Sequence, residues 1–138
     1  MARTLGIDPG TKRCGIAITD SAHTMAFPRP ALANDDQLIA KLRALVDEEG
    51  ATAIVVGRPV ALSGNETAST KSADVLYQEL VAAFDEIVVI QWDERLTTFE
   101  AQRSLAQAGI RAKDHRDHVD SAAAVIMLQN YVDGLPAD

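Results

Sequence analysis

Apolar positions along the chain follow two different periods, and the switch between them marks out the elements. Residues 4–8 and 14–19 are short apolar runs joined by Pro9–Arg13, which predicts two strands in a hairpin. Met25–Pro28 predicts a short third strand that the prolines stop. Leu38, Leu42, Leu45 and Val46 recur at helical spacing, with Asn34 or Asp35 as N-cap and Gly50 closing the helix. "TAIVVG" (52–57) and "EIVVIQW" (86–92) are continuous runs rich in β-branched residues, the pattern of strands covered on both faces. Between them, Val75, Leu76, Leu80 and Phe84 predict the apolar face of a second helix, and two further helical stretches follow at about 98–108 and 117–132. The order β-β-β-α-β-α-β-α-α predicts an α/β fold: a mixed five-stranded sheet, antiparallel through its first three strands, then parallel crossovers, flanked by helices.

Composition narrows the class. With 138 residues, 47% of them hydrophobic, the expectation is a single domain over 1–138. The longest apolar run, Ala122–Leu128, is far below the roughly 18 residues of a membrane span, and no basic-then-apolar leader opens the chain, so no membrane partner and a cytoplasmic location are expected. The lone cysteine, Cys14, sits in an apolar strand pattern and reads as a small buried thiol. A net charge of −7 excludes nucleic-acid binding through bulk positive charge. The cations are distributed unevenly, however: Lys12, Arg13, Arg58 and Arg95 fall in connecting segments, where sites are built.

Three acidic positions share a place in the element order. Asp8 ends the first strand, Asp93 and Glu94 end the last strand in "WDERLTT", and Asp120 opens the last helix in "HRDHVDSAAAVIML". Each has a plain structural alternative: a turn aspartate, a solvated pair of acids, and a carboxylate complementing a helix dipole. Together they read differently, because strand ends on one edge of an α/β sheet open onto a common crevice. Carboxylate-rich sites suit Mg²⁺ or Mn²⁺, and two such ions activate a water and stabilise the leaving oxygen in attack on a phosphodiester. Thr97 and Glu100 match a capping box, so Asp93 and Glu94 are not needed as caps; Asp117 can cap the last helix, which leaves Asp120 toward its packed side with Ala123, Ala124, Met127 and Tyr131.

The segments "GIDPGTKRCGIAITD", "IVVGRPVALSGNETAST", "WDERLTTFEAQRSL" and "HVDSAAAVIMLQNYVD" resemble the YqgF/RuvX family of the ribonuclease H-like superfamily, the Holliday-junction-resolvase-like proteins or pre-16S rRNA nucleases. The resemblance runs from Arg3 to Asp133 in motif order and spacing. It implies a ribonuclease H-like fold and a metal-dependent nuclease acting on branched DNA, on precursor 16S rRNA, or on both, with two Mg²⁺ or Mn²⁺ ions as cofactor. Asp8, Glu94 and Asp120 then correspond to the catalytic metal ligands, with Asp93 as a further candidate ligand. Lys12, Arg13, Arg58 and Arg95 are the expected nucleic-acid contacts.

Two departures stand out. Pro9 replaces the usual apolar or aromatic residue after the aspartate, and "GRPVALSG" replaces the more usual "GLPLNMDG", which bears on substrate preference more than on chemistry. Two rival readings start from the same residues: a non-catalytic member that binds RNA or a transcription complex, and an actin-like or sugar-kinase-like ATPase, suggested by "DPGT". His115 and His118, three apart, read as solvated loop residues.

Overall fold

The computed structural model describes residues 3–59, 63–94 and 121–134. Arg95, Thr97, Glu100, the helix expected at about 98–108, His115, Asp117, His118 and Asp120 lie outside the described residues. In chain order the described elements are β1 (Arg3–Asp8), β2 (Arg13–Thr19), β3 (Ala26–Ala33), α1 (Leu38–Glu49), β4 (Ala51–Arg58), α2 (Ala68–Ala83), β5 (Val88–Asp93) and α3 (Ala122–Asp133). The sheet order is β3-β2-β1-β4-β5. β1 pairs antiparallel with β2, and β2 with β3, whereas β1–β4 and β4–β5 are parallel. The expected mixed five-stranded α/β sheet is therefore the one observed.

Burial explains why the central strands read as unbroken apolar runs. Leu5, Ile7, Ile16, Ile54 and Val56 project to one face and pack under Leu42 of α1 and Leu80 of α2, with Phe84 just beyond α2. Ala17 and Val55 project to the other face and pack under Ala124, Val125, Met127 and Leu128 of α3. With helices on both sides, neither face is free for the apolar-polar alternation of a half-exposed sheet. Among the described residues, no helix is long and apolar enough to cross a membrane.

Three details differ from the sequence expectation. β3 runs on through Pro28 and Pro30 to Ala33. It is an edge strand, where a missing N–H need not leave a ladder partner unpaired. At α1 the cap position is Gln37 and carries no side-chain cap bond. Asp35 instead closes a preceding turn, its Oδ1 accepting from Gln37 N at 2.9 Å, while the Asn34 amide is drawn to Gly10 O at 2.7 Å. The expected closing residue does hold, since Gly50 adopts φ 68°. On α2 the buried stripe is Thr70, Ala73, Leu76 and Leu80, whereas Val75 is 59% exposed. Ala73, Leu76 and Leu80 follow the three-and-four spacing of one helix face, from which Val75 is rotated by about 100°.

Phe84 is 1% exposed, and the Arg43 guanidinium lies 4.3 Å above its ring. Phe84→Ala should therefore cost about 3–5 kcal/mol. Val75→Ala should stay within about 0.5 kcal/mol of the parent. Urea denaturation of the two variants checks the contrast, and equal losses would put Val75 back in the core.

Candidate active site

Strand pleating decides which acids can meet. Leu5 and Ile7 face the α1/α2 core, so Asp8, one residue on, faces the α3 side at the carboxyl end of β1. β4 and β5 run parallel to β1 and end beside it, with Arg58 and Asp93 as register partners. The turn after Asp8 is held tightly. A Cβ on Gly10 would lie 2.2 Å from the Arg13 carbonyl oxygen, so the chain turns there only without a side chain. Asn34 pins the same turn twice, donating from its backbone N to Lys12 O at 2.9 Å and from its amide to Gly10 O at 2.7 Å. Sequence spacing offered Asn34 or Asp35 as a helix cap and missed this clamp, because the contact spans 24 positions.

Glu94, one residue beyond β5, turns to the same side and hydrogen-bonds Asp8, side chain to side chain. Its Oε2 is buried without a hydrogen-bond partner. Burial, the neighbouring Asp8 charge, the hydrogen bond with Asp8 and the Asp93 charge together push the Glu94 carboxyl up to about 8. Burial raises Asp8 too, and the hydrogen bond with Glu94 opposes that rise. Two carboxylates this close cannot both ionise cheaply, so without a cation they share a proton. An oxygen pair with one buried, unpartnered oxygen suits a hard divalent cation, which would reverse both shifts. Among the described residues no group of three or more potential ligands is found; the third expected carboxylate, Asp120, lies outside them.

The adjacent acid goes the other way. Gln91 donates to Asp74 of α2 at 2.6 Å, while Trp92 packs edge-on against Tyr131 of α3 with ring centroids 5.7 Å apart. Asp93 therefore shares the Gln91 side of the strand, beside Arg58, and the sheet separates it from the Asp8–Glu94 pair. Arg58, expected on the substrate track, is engaged by acids of the chain itself. It forks onto Asp74 at 2.9 and 3.2 Å and reaches Glu66 at 3.2 Å, on the α2 side of the sheet. The Asp74 hydrogen bond also raises the Arg58 pKa, fixing the guanidinium in a tether between β4 and α2. Lys12 and Arg13 stand exposed on the turn that follows Asp8, and Arg95 lies outside the described residues. A groove of about 320 Å³ lined by Thr11, Asn34, Leu38, Ser72 and Leu76 sits behind this turn on the α1/α2 face, not at the carboxylates.

The raised Glu94 pKa has a definite sign in stability. A carboxyl that holds its proton up to about 8 when folded but releases it near 4.5 when unfolded binds more protons in the folded state. Metal-free protein should therefore lose stability as pH climbs through that window, and Glu94→Gln should remove the loss. At pH 8 the variant should be the more stable by ~1 kcal/mol, after discounting for solvent screening, with convergence below about pH 4.5. Melts in EDTA across pH 4–8.5 check this; parallel curves would mean the two carboxyls do not meet.

The sequence profile of a family described as "RuvX: Holliday junction resolvase" matches residues 2–134. A Mycobacterium ulcerans protein named "Putative pre-16S rRNA nuclease" is 41% identical over 133 residues, covering 95% of this chain and 78% of that protein. A Geobacillus kaustophilus protein of the same name is 36% identical, covering 95% and 97%. Among solved structures, Thermus thermophilus RuvC in complex with a Holliday junction substrate superimposes with TM-score 0.58 at 16% identity, over 94% of this chain and 92% of that one, and shares the fold. With its fold, its paired strand-end acids and a profile match over nearly its whole length, the chain belongs to the RuvX family.

Proposed function

We propose that the chain is a cytoplasmic, divalent-metal-dependent nuclease, one domain over residues 1–138, that hydrolyses phosphodiester bonds in structured nucleic acid. The observation that carries this reading is the Asp8–Glu94 pair, two carboxyls brought into contact at adjacent strand ends with one oxygen buried and unpartnered. A divalent cation between the two carboxyls would relieve the cost of ionising both. Family membership supports the same chemistry. The substrate classes under test come from the names of relatives: four-way DNA junctions and the precursor of 16S rRNA.

Asp8, Glu94 and Asp120 hold the metal in this reading. Two Mg²⁺ or Mn²⁺ ions would supply water activation and charge stabilisation at the leaving oxygen. The remaining work belongs to the chain's own groups. Gly10 and Asn34 keep the turn rigid, so the Asp8 carboxylate stays where β1 delivers it. Lys12 and Arg13 on that turn neutralise substrate phosphates beside the acids, a contact that fixes register without reading bases. Asp93, on the far side of β5, stays out of the ligand set and faces Arg58.

A labelled four-way DNA junction, single-stranded DNA, single-stranded RNA and a precursor rRNA fragment should be tested with Mn²⁺, Mg²⁺, Ca²⁺ and EDTA. Cleavage should need Mn²⁺ or Mg²⁺, proceed poorly with Ca²⁺, and fall by more than about 100-fold in Asp8→Asn and Glu94→Gln but not in Asp93→Asn. Full activity in EDTA would sink the metal-dependent reading, whereas an inert wild type that binds RNA would favour the non-catalytic one.

Binding by Asp8→Asn protein across a salt series tests the cations separately. Lys12→Ala and Arg13→Ala should each flatten the salt slope by about 0.7–0.9. Arg58→Ala should leave the slope unchanged and lower the melting temperature, because its partner is Asp74. A flattened slope in Arg58→Ala would return it to the substrate track.

A further inference from the structure

We infer that Gly57 and Met127 form a seat that fixes the Glu94 carboxylate against Asp8, which makes both of them positioning residues. The inference rests on the reading of Glu94 as a metal ligand, but the seat itself is a packing feature. A Cβ built on Gly57 would lie 2.8 Å from Glu94 Oε2, 3.1 Å from Glu94 Cδ and 2.9 Å from Met127 Sδ. Real side chains essentially never approach so closely, so the carboxylate occupies space that exists only because position 57 has no side chain.

The glycine has no conformational reason to be there. Gly57 lies inside β4, paired with Trp92 of β5, and the described glycines with positive φ are Gly50 and Gly64. A glycine within a strand weakens it by roughly 0.5–1 kcal/mol relative to alanine. That cost is offset here by the room it leaves. Met127 borders the same space: it is 2% exposed, carried by α3, and its Sδ lies 2.9 Å from where that Cβ would stand.

Steric seating also explains how Glu94 stays in place. The hydrogen bond to Asp8 holds the carboxyl at one point, and Oε2, which has no hydrogen-bond partner, is left to packing. The space over Gly57, bordered by the Met127 sulfur, is where that oxygen packs. Because the groups in the way are the ends of flexible side chains, a methyl at position 57 should displace the carboxylate rather than unfold the sheet.

The test pairs metal binding with metal-free melts. In Gly57→Ala, Mn²⁺ affinity, read by quenching of the sole tryptophan, Trp92, should fall about 10-fold or more, with cleavage down about 100-fold. Met127→Ala alone should also lower Mn²⁺ affinity, at a temperature where melts show every variant folded. In EDTA, Gly57→Ala should raise the melting temperature in a Glu94→Ala background and fail to raise it in the parent. Unchanged Mn²⁺ affinity in Gly57→Ala, or equal melting shifts in both backgrounds, would overturn the seat. A wild type that binds no Mn²⁺ while the melts remain coupled would overturn the nuclease reading and leave the seat standing.

Discussion

The contact between the Asp8 and Glu94 carboxyls is the constraint on which the candidate site depends, because neither can ionise freely beside the other. A parallel arrangement of β1, β4 and β5 brings three carboxyl ends to one edge of the sheet. The apolar cores on the two faces give those strands a fixed register, so the acids at their ends have fixed addresses. Without that stiffness the pair would separate, since electrostatic repulsion and hydration both favour separation.

The same economy governs the neighbouring charges. One strand end carries two consecutive acids, and the pleat sends them to opposite sides, so Asp93 meets Arg58 while Glu94 meets Asp8. The Arg58–Asp74–Gln91 network then joins β4, α2 and β5 on the side away from the site. It is a brace under the edge.

Much of this was readable in the chain because the signals were local. Continuous apolar runs marked β4 and β5, the Leu38–Leu42–Leu45–Val46 stripe marked α1, and Gly50 marked its end. The acids Asp8 and Glu94 could be placed at strand ends for the same reason. What escaped was non-local. Whether Pro28 and Pro30 end a strand depends on its being at an edge, which only the finished sheet decides. Which of Asp93 and Glu94 turns inward depends on the residue where pairing stops. The use of Arg58, Asn34 and Gly57 depends on partners 16, 24 and 37 positions away. A one-residue window cannot carry that information.

The prolines of β3 have one more consequence. A sheet made of such apolar strands would be a template for other chains if its margin offered an unbroken row of backbone donors. Pro28 and Pro30 remove two of those donors from one margin, and Arg29 between them reaches back to Glu48 and Glu49 on α1. That margin is therefore a poor surface for strand addition.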